Sequence, residues 1–183
     1  MSKDVKIILV DADVISHFIA CSEIIYLPKI LEPHKIIVLE NVYTEVARIH
    51  SRKTILDNLL ATVRNISKKP FPIDNLDIKK EYAFIKKNNP LIGDGERACM
   101  AVAKYTKDVV ASSNFRDIVP YCQANNILYL GTLDILTVAL NKGIFDIERC
   151  NLFIESARNK NNAKFPISVK KITDYKAIDV SFI

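Results

Sequence analysis

The most constraining feature of this sequence is a short run of branched apolar residues that leads directly into two acids. The run spans Val5 to Val10 (VKIILV), and Asp11 and Asp13 follow it at once. Such a run, without polar alternation, predicts a strand buried on both faces, which is typical of a parallel sheet. Three further runs of this kind lie at Lys35–Leu39, Asp108–Ser112 and Ile127–Leu130. The sequence therefore predicts a central parallel sheet of four or more strands.

Helical segments separate these strands, because their apolar residues recur at three- and four-residue spacing. The segments span residues 40–50, 53–65, 78–87, 96–105 and 133–142. Asp13 is predicted to cap the first helix, Gly143 to follow the last of these segments, and residues 67–77 to form a loop. Alternating strands and helices predict a three-layer α/β/α fold over residues 1–147. Residues 148–183 are predicted to be a helical or irregular appendage packed on the same domain.

Composition narrows the class of protein without fixing the function. The 183 residues carry a net charge of +5, which permits a polyanionic partner but does not require one. The four cysteines lack the spacing of a zinc site and are predicted to be reduced thiols in a cytoplasmic protein. The first thirteen residues predict neither a signal peptide nor a membrane span. No GxGxxG motif or P-loop indicates a nucleotide-binding domain.

Polar residues follow two of the predicted strands, where an open α/β sheet usually forms its site. Asp11 follows the first strand, and Ser113, Asn114 and Asp117 follow the third along the chain. Because the carboxyl ends of parallel strands share one edge of the sheet, we expect these two groups to meet. The sequence therefore predicts an acidic centre at this edge.

Two further acids lie on the apolar faces of predicted helices. Glu45 lies between Val42 and Ile49, and Glu96 heads the apolar series that continues at Cys99. Carboxylates facing a core repel one another and are costly unless they are paired or bound to a cation. A hard divalent cation such as Mg²⁺ or Mn²⁺ removes that penalty, because carboxylate oxygens are its preferred ligands.

Each acid also has a structural explanation that the sequence leaves open. Asn114 and Asp117 each suit the start of the helix that follows them. Glu96 suits the positive end of its own helix, and Glu45 suits a pairing with the arginine at position 48 or 52. The exposed face of a helix equally explains the basic residues Arg97, Lys104 and Arg116, which otherwise suit contacts with a nucleic-acid backbone.

The order of these motifs resembles the PIN-domain family, over residues 6–147. The segments that carry the resemblance are ILVDADVI, VLENVYTEV, LIGDGERACMAVA, VVASSNFRDI and LYLGTLDILTVALNKGIF. They are similar to the acid-bearing strands and helices of the subgroup with a Gly-Glu helix and a closing GTL helix. One departure is Ser112-Ser113-Asn114, where many relatives carry an aspartate.

The resemblance implies a PIN-like fold and a metal-dependent ribonuclease. Asp11, Glu45, Glu96 and Asp117 would be both the catalytic residues and the ligands of Mg²⁺ or Mn²⁺, with Asn114 and Ser113 in support. The implied partners are an RNA substrate, a second copy of the chain and, if the protein is the toxin of a toxin–antitoxin pair, an antitoxin protein; no membrane is implied. A non-catalytic module that binds RNA or protein is the other alternative, and Asn114 is the residue that favours it.

Overall fold

Five parallel strands form the centre of the protein. The computed structural model describes residues 4–183. The strands are β1 (Ile7–Val10), β2 (Lys35–Leu39), β3 (Ile66–Lys69), β4 (Val109–Ala111) and β5 (Tyr129–Leu130). They lie in the order β3-β2-β1-β4-β5, and every neighbouring pair is parallel. The predicted α/β fold with a central parallel sheet is confirmed.

Helices flank the sheet and complete the three-layer α/β/α arrangement. The part of the chain that the structure describes contains nine α-helices. They are α1 (Ala12–Ala20), α2 (Tyr26–Ile30), α3 (Glu40–Val46), α4 (His50–Thr62), α5 (Leu76–Asn88), α6 (Asp94–Thr106), α7 (Phe115–Ala124), α8 (Thr132–Asn141) and α9 (Ile147–Asn161). Gly143 follows α8 with a φ of +65°, the left-handed conformation predicted for it.

The strand order reverses between β1 and β4, and this reversal opens a crevice. The chain builds β2 and β3 on one side of β1, and then β4 and β5 on the other. Val10 lies in register with Ala111, and the next amide, that of Asp11, donates to the Ala111 carbonyl at 2.8 Å. The loops that leave β1 and β4 therefore start side by side, as at the ligand-binding crevice of other open α/β sheets.

Several boundaries differ from the sequence prediction. The loop predicted over residues 67–77 begins with β3, an edge strand whose exposed lysines leave no apolar run to detect. The helix predicted over residues 40–50 ends earlier, because α3 stops at Val46, and the helix predicted over residues 53–65 is α4, which starts at His50. Asp13 is not the N-cap of α1, since the helix begins at Ala12 and Asp11 occupies the capping position.

The C-terminal segment returns to the carboxyl edge of the sheet. The predicted boundary after residue 147 falls in the first turn of α9, which packs against α1. Beyond α9 the chain forms a short 3-10 turn at Ile172–Asp174. The Tyr175 hydroxyl then donates to Asp134 on α8 at 2.9 Å. This contact brings the end of the chain close to the crevice.

The interior is apolar and holds the cysteines as free thiols. The strands and the helices packed on them both contribute fully buried side chains, and the four cysteines are buried or half-buried without a disulfide. None of the helices within residues 4–183 combines the length and apolar character that crossing a bilayer requires. Residues 1–3, which begin the segment predicted to be neither signal peptide nor membrane span, lie outside the described range.

Candidate active site

Asp11 lies at the floor of the crevice, where β1 passes into α1. Its backbone is extended and its side chain is only 4% exposed. Oδ2 accepts a long hydrogen bond from the Ser112 hydroxyl at 3.4 Å. Oδ1 is buried and has no hydrogen-bond partner. The carboxylate therefore has one oxygen whose bonding capacity is unused, which is costly in a buried position.

Glu96 presents a second carboxylate of the same kind from the first turn of α6. Its side chain is 5% exposed, and Oε2 accepts from the Asn114 amide nitrogen at 3.1 Å. Oε1 is buried and unpartnered, like Oδ1 of Asp11. The inward-facing stripe predicted for α6 is thus confirmed, and the two acids with an unused oxygen come from different elements of the fold.

Asn114 connects Glu96 to Asp117. The same amide nitrogen that donates to Glu96 also donates to Asp117 Oδ2 at 2.7 Å. Asn114 precedes α7, yet its side chain makes no capping hydrogen bond, so capping does not explain that side chain. Asp117 lies in the first turn of α7, and its other oxygen is 3.5 Å from Arg116 Nε.

Glu45 reaches the site from α3 but is bonded to the backbone. Its Oε1 accepts from the Gly95 amide at 2.9 Å, at the start of α6. A Cβ at Gly95 would lie 2.9 Å from Val42 and 3.3 Å from Asp11 Oδ1, so only glycine permits this approach of α6 to α3. Glu45 makes no ion pair with either arginine that follows it, and Arg52 bonds Asn161 instead. Glu45 therefore fixes the start of α6.

The carboxylates of the site repel one another at close quarters. Burial and the charge of Glu96 raise the pKa of Asp11 well above its ordinary value. Burial raises the pKa of Glu96 to about 7, with the charges of Asp117 and Glu45 adding to the shift and the Asn114 bond opposing it. At neutral pH the ionised cluster is unfavourable, and a proton or a cation between the carboxylates relieves it.

The arrangement fits a hydrated cation better than a cage of protein ligands. Within residues 4–183, no group of three or more histidine, cysteine, aspartate and glutamate side chains is placed to hold one metal ion together. The four predicted acids influence one another electrostatically, but Glu45 and Asp117 have other hydrogen-bond partners. Mg²⁺ is commonly held by one or two carboxylates and several waters. The unpartnered oxygens of Asp11 and Glu96 fit that requirement.

The predicted nucleic-acid contacts fall into two groups. The prediction for Arg97 is wrong, because its side chain is 6% exposed and bonds the Ile92 carbonyl at 2.6 Å and Tyr82 at 3.2 Å. Lys104 is paired with Glu81 at 2.6 Å. Arg116 is 85% exposed and lines the cavity beside the acids. Only Arg116 of the three is both accessible and adjacent to the site.

A chain of hydroxyls and one histidine forms another wall that the sequence did not indicate. Ser113 Oγ lies 2.6 Å from Thr132 Oγ1, which lies 3.0 Å from His17 Nδ1. Burial, with a smaller effect of Arg52, lowers the pKa of His17 to about 4, so the ring is neutral at physiological pH. Ser113, predicted to support the acids, instead bonds Thr132. These residues lie on separate elements, and no local spacing connects them.

Asp134 is a buried acid that the sequence motifs did not indicate. It is fully buried, and its oxygens accept from the Gly131 amide at 2.8 Å, the Tyr175 hydroxyl at 2.9 Å and the Ile178 amide at 3.1 Å. The sequence did contain a signal for this role. Asp134 lies three residues after Gly131, which precedes a helix, and a carboxylate at that position favours a hydrogen bond from the amide before the helix. Asp134 fastens the C-terminal segment to α8.

The fold and the crevice define a parallel α/β protein with buried carboxylates at the point where strand order reverses. A scan against models of protein families found no match to this chain, and a search of curated proteins found none.

Proposed function

We propose that this protein is a metal-dependent nuclease that hydrolyses phosphodiester bonds in RNA. The observation that carries the proposal is the pair of buried carboxylates, Asp11 and Glu96, each with one buried oxygen that has no hydrogen-bond partner. Two orphaned acceptors in one crevice are costly unless a ligand completes them. A hard divalent cation, Mg²⁺ or Mn²⁺, satisfies both oxygens and neutralises their charge.

The residues around the pair suit phosphodiester hydrolysis. A bound divalent cation supplies a Lewis acid that stabilises charge on the phosphate and favours ionisation of a water. Asp11 and Glu96 would hold the cation, and Glu45 and Asp117 would add negative charge beside it. Asn114 orients Glu96 and Asp117 through its amide. Arg116 is exposed at the rim and contacts the RNA backbone.

The proposed activity implies that the substrate is RNA in the cytoplasm. The four free thiols suit a reducing compartment. A nuclease of this kind also suits the role of a toxin that a protein antitoxin silences, and a homodimer is the assembly proposed for it.

One observation favours a second candidate, a non-catalytic module that binds RNA. The Asn114 amide already bridges Glu96 and Asp117, and no three candidate ligands converge within the described residues. An amide in this position relieves part of the repulsion that a cation would otherwise relieve. A module of this kind would bind RNA without turning it over.

Cleavage of a mixed RNA pool, with Mg²⁺ or Mn²⁺ and with EDTA, tests the proposal. The variants are Asp11→Asn and Glu96→Gln, with Asp74→Asn as the matched control, because Asp74 is an exposed acid away from the crevice. We expect metal-dependent cleavage by the natural chain and the control, and a loss of at least about 100-fold in both site variants. Circular dichroism verifies that each variant is folded.

Three results separate the candidates. If the folded Asp11→Asn variant cleaves RNA at the rate of the natural chain, the assignment of Asp11 to the active site is wrong. RNA binding without turnover in any of the metals would establish the binding module instead. Cleavage that persists in EDTA would contradict the requirement for a cation.

A further inference from the structure

A cavity of about 590 Å³ joins the acidic site to the C-terminal segment. Its lining includes three residues next to the acidic site, Asp13, Asn114 and Asp117. It also includes five residues of the C-terminal segment: Asn161, Asn162, Lys164, Phe165 and Pro166. The volume lies in the roughly 300–1,000 Å³ range of sites that take one small ligand. The C-terminal segment, which lies outside the motifs of the nuclease site, therefore lines the space next to the acids.

We propose that this cavity binds one unstacked nucleotide of single-stranded RNA beside the scissile phosphate, with Lys164 as a phosphate contact. The inference rests on the proposed function and adds the C-terminal segment to its substrate site. Bases of single-stranded RNA can leave the stack and enter a pocket, whereas a duplex keeps them paired inside. A single strand is therefore the form of RNA that the cavity accepts.

The wall formed by the C-terminal segment is fixed before any ligand binds. Arg158 Nη2 donates to the Pro166 carbonyl at 2.9 Å and to the Val169 carbonyl at 2.6 Å. The Phe165 ring packs edge-on against His17, with 5.3 Å between ring centroids. A wall that is already ordered binds a ligand without the entropic cost of ordering a loop.

Lys164 lies where a phosphate needs a positive charge. It is exposed, lines the cavity and makes no ion pair with any carboxylate in the described part of the chain. Arg116 lines the same cavity. Two cations beside the acids offset the repulsion that a polyanion would otherwise meet there.

The inner wall offers hydrogen bonds rather than charge. Ser113, Thr132 and His17 line the cavity, and the His17 ring is neutral at physiological pH. Because the hydroxyls are bonded in series, Ser113 has a partner on one side and keeps further bonding capacity on the other. An uncharged polar wall suits the edge of a base, while Lys164 and Arg116 suit the phosphates.

The test is fluorescence anisotropy with a labelled single-stranded RNA octamer and a duplex of the same sequence. Ca²⁺ replaces Mg²⁺, and gel analysis verifies that the RNA is intact. The variants are Lys164→Ala, Lys164→Arg and the matched control Lys160→Ala, which removes the same charge from an exposed residue outside the cavity. We expect Lys164→Ala to weaken single-strand binding roughly fivefold and to lower the salt slope by about one.

Lys164→Arg and Lys160→Ala are expected to bind as the natural chain does, and the duplex is expected to bind more weakly than the single strand. Equal effects of Lys164→Ala and Lys160→Ala would overturn the inference, because net charge would then explain both. Preference for the duplex, or no binding of either RNA, would overturn it as well.

Failure of the inference and failure of the proposed function give different results. Asp11-dependent cleavage with no change in Kd or KM in Lys164→Ala removes the nucleotide pocket and leaves the nuclease. Lys164-dependent binding of single-stranded RNA without cleavage in any metal keeps the pocket and removes the nuclease.

Discussion

Two sets of buried carboxylates lie near the carboxyl edge of the sheet, and their bonding differs. Asp134 is fully buried, and three donors satisfy its two oxygens. Asp11 and Glu96 are almost as deeply buried, yet each keeps one oxygen without a partner. Burial raises the pKa of all three acids. Neighbouring carboxylates raise it further at Asp11 and Glu96, whereas at Asp134 hydrogen bonds from the backbone and from Tyr175 oppose the effect of burial.

The difference teaches that burial alone does not mark a functional acid. Asp134 has the burial of an active-site group and the bonding of a structural one. The unpartnered oxygens of Asp11 and Glu96 are what a structural role does not explain. We therefore expect that removing Asp134 lowers the stability, whereas neutralising Glu96 raises the stability of the metal-free protein at high pH.

The largest effect is expected for Asp134→Ala, which leaves three donors unsatisfied and releases the C-terminal segment from α8. We expect the free energy of unfolding to fall by about 3–5 kcal/mol. Urea unfolding followed by circular dichroism measures it. A loss below about 1 kcal/mol would mean that Asp134 is not the anchor that distinguishes it from the acidic pair.

Unlike Asp134→Ala, Glu96→Gln is expected to raise the free energy of unfolding of the metal-free protein at high pH. The folded pKa of Glu96, about 7, lies above its ordinary value of 4.5, so its favourable contribution is present below pH 4.5 and is lost as pH rises through 7. Metal-free stability should therefore fall by up to about 3 kcal/mol over this window, and Glu96→Gln should reduce that fall. Urea unfolding in EDTA between pH 4.5 and pH 8 measures both slopes. Unchanged slopes would contradict the assignment.

Binding of Mg²⁺ should restore the stability that the protein loses when Asp11 and Glu96 ionise. At pH 8 and a concentration 100 times its dissociation constant, we expect it to raise the free energy of unfolding by about 2.7 kcal/mol in the natural chain. Glu96→Gln should show little of this gain, while Asp134→Asn should keep it. Thermal unfolding at matched ionic strength measures the effect, and an equal gain from NaCl alone would assign it to screening.

The smallest effect is expected from removing one hydrogen-bond donor to Asp134. Tyr175→Phe removes the hydroxyl that bonds Asp134, and we expect a loss of about 1 kcal/mol. Tyr105→Phe is the matched control, since Tyr105 is 45% exposed, and it should change stability by less than about 0.5 kcal/mol. Equal losses in the two variants, measured by urea unfolding, would show that the Tyr175 bond contributes nothing of its own.

The sequence predicted the sheet where its strands are apolar and missed it where they are not. The strands β1, β2 and β4 lie in the interior of the sheet, so their residues form continuous hydrophobic runs. The edge strand β3 reads ISKK, and its exposed lysines gave no such run. Its place in the sheet depends on pairing with β2, which no pattern within four residues encodes.

The candidate site was predictable to the same limited extent. Asp11 was found because it follows a strand, and Glu96 because it faces inward from a helix. Arg97 was assigned to the nucleic acid, but its neighbours Tyr82 and Ile92 bury it. No sequence motif singled out Lys164, since only the return of the C-terminal segment brings it to the cavity beside the acids.

The sequence by itself determined the alternation of strands and helices, because hydrophobic periodicity is a local property of the chain. The tertiary structure alone decided which oxygens are satisfied. Asp11 meets Ser112 across 101 positions, and His17 meets Thr132 across 115. Hydrogen bonds of this range depend on how the elements pack. For this reason the sequence could nominate the buried acids, and only the fold separated the anchored Asp134 from the incomplete pair of Asp11 and Glu96.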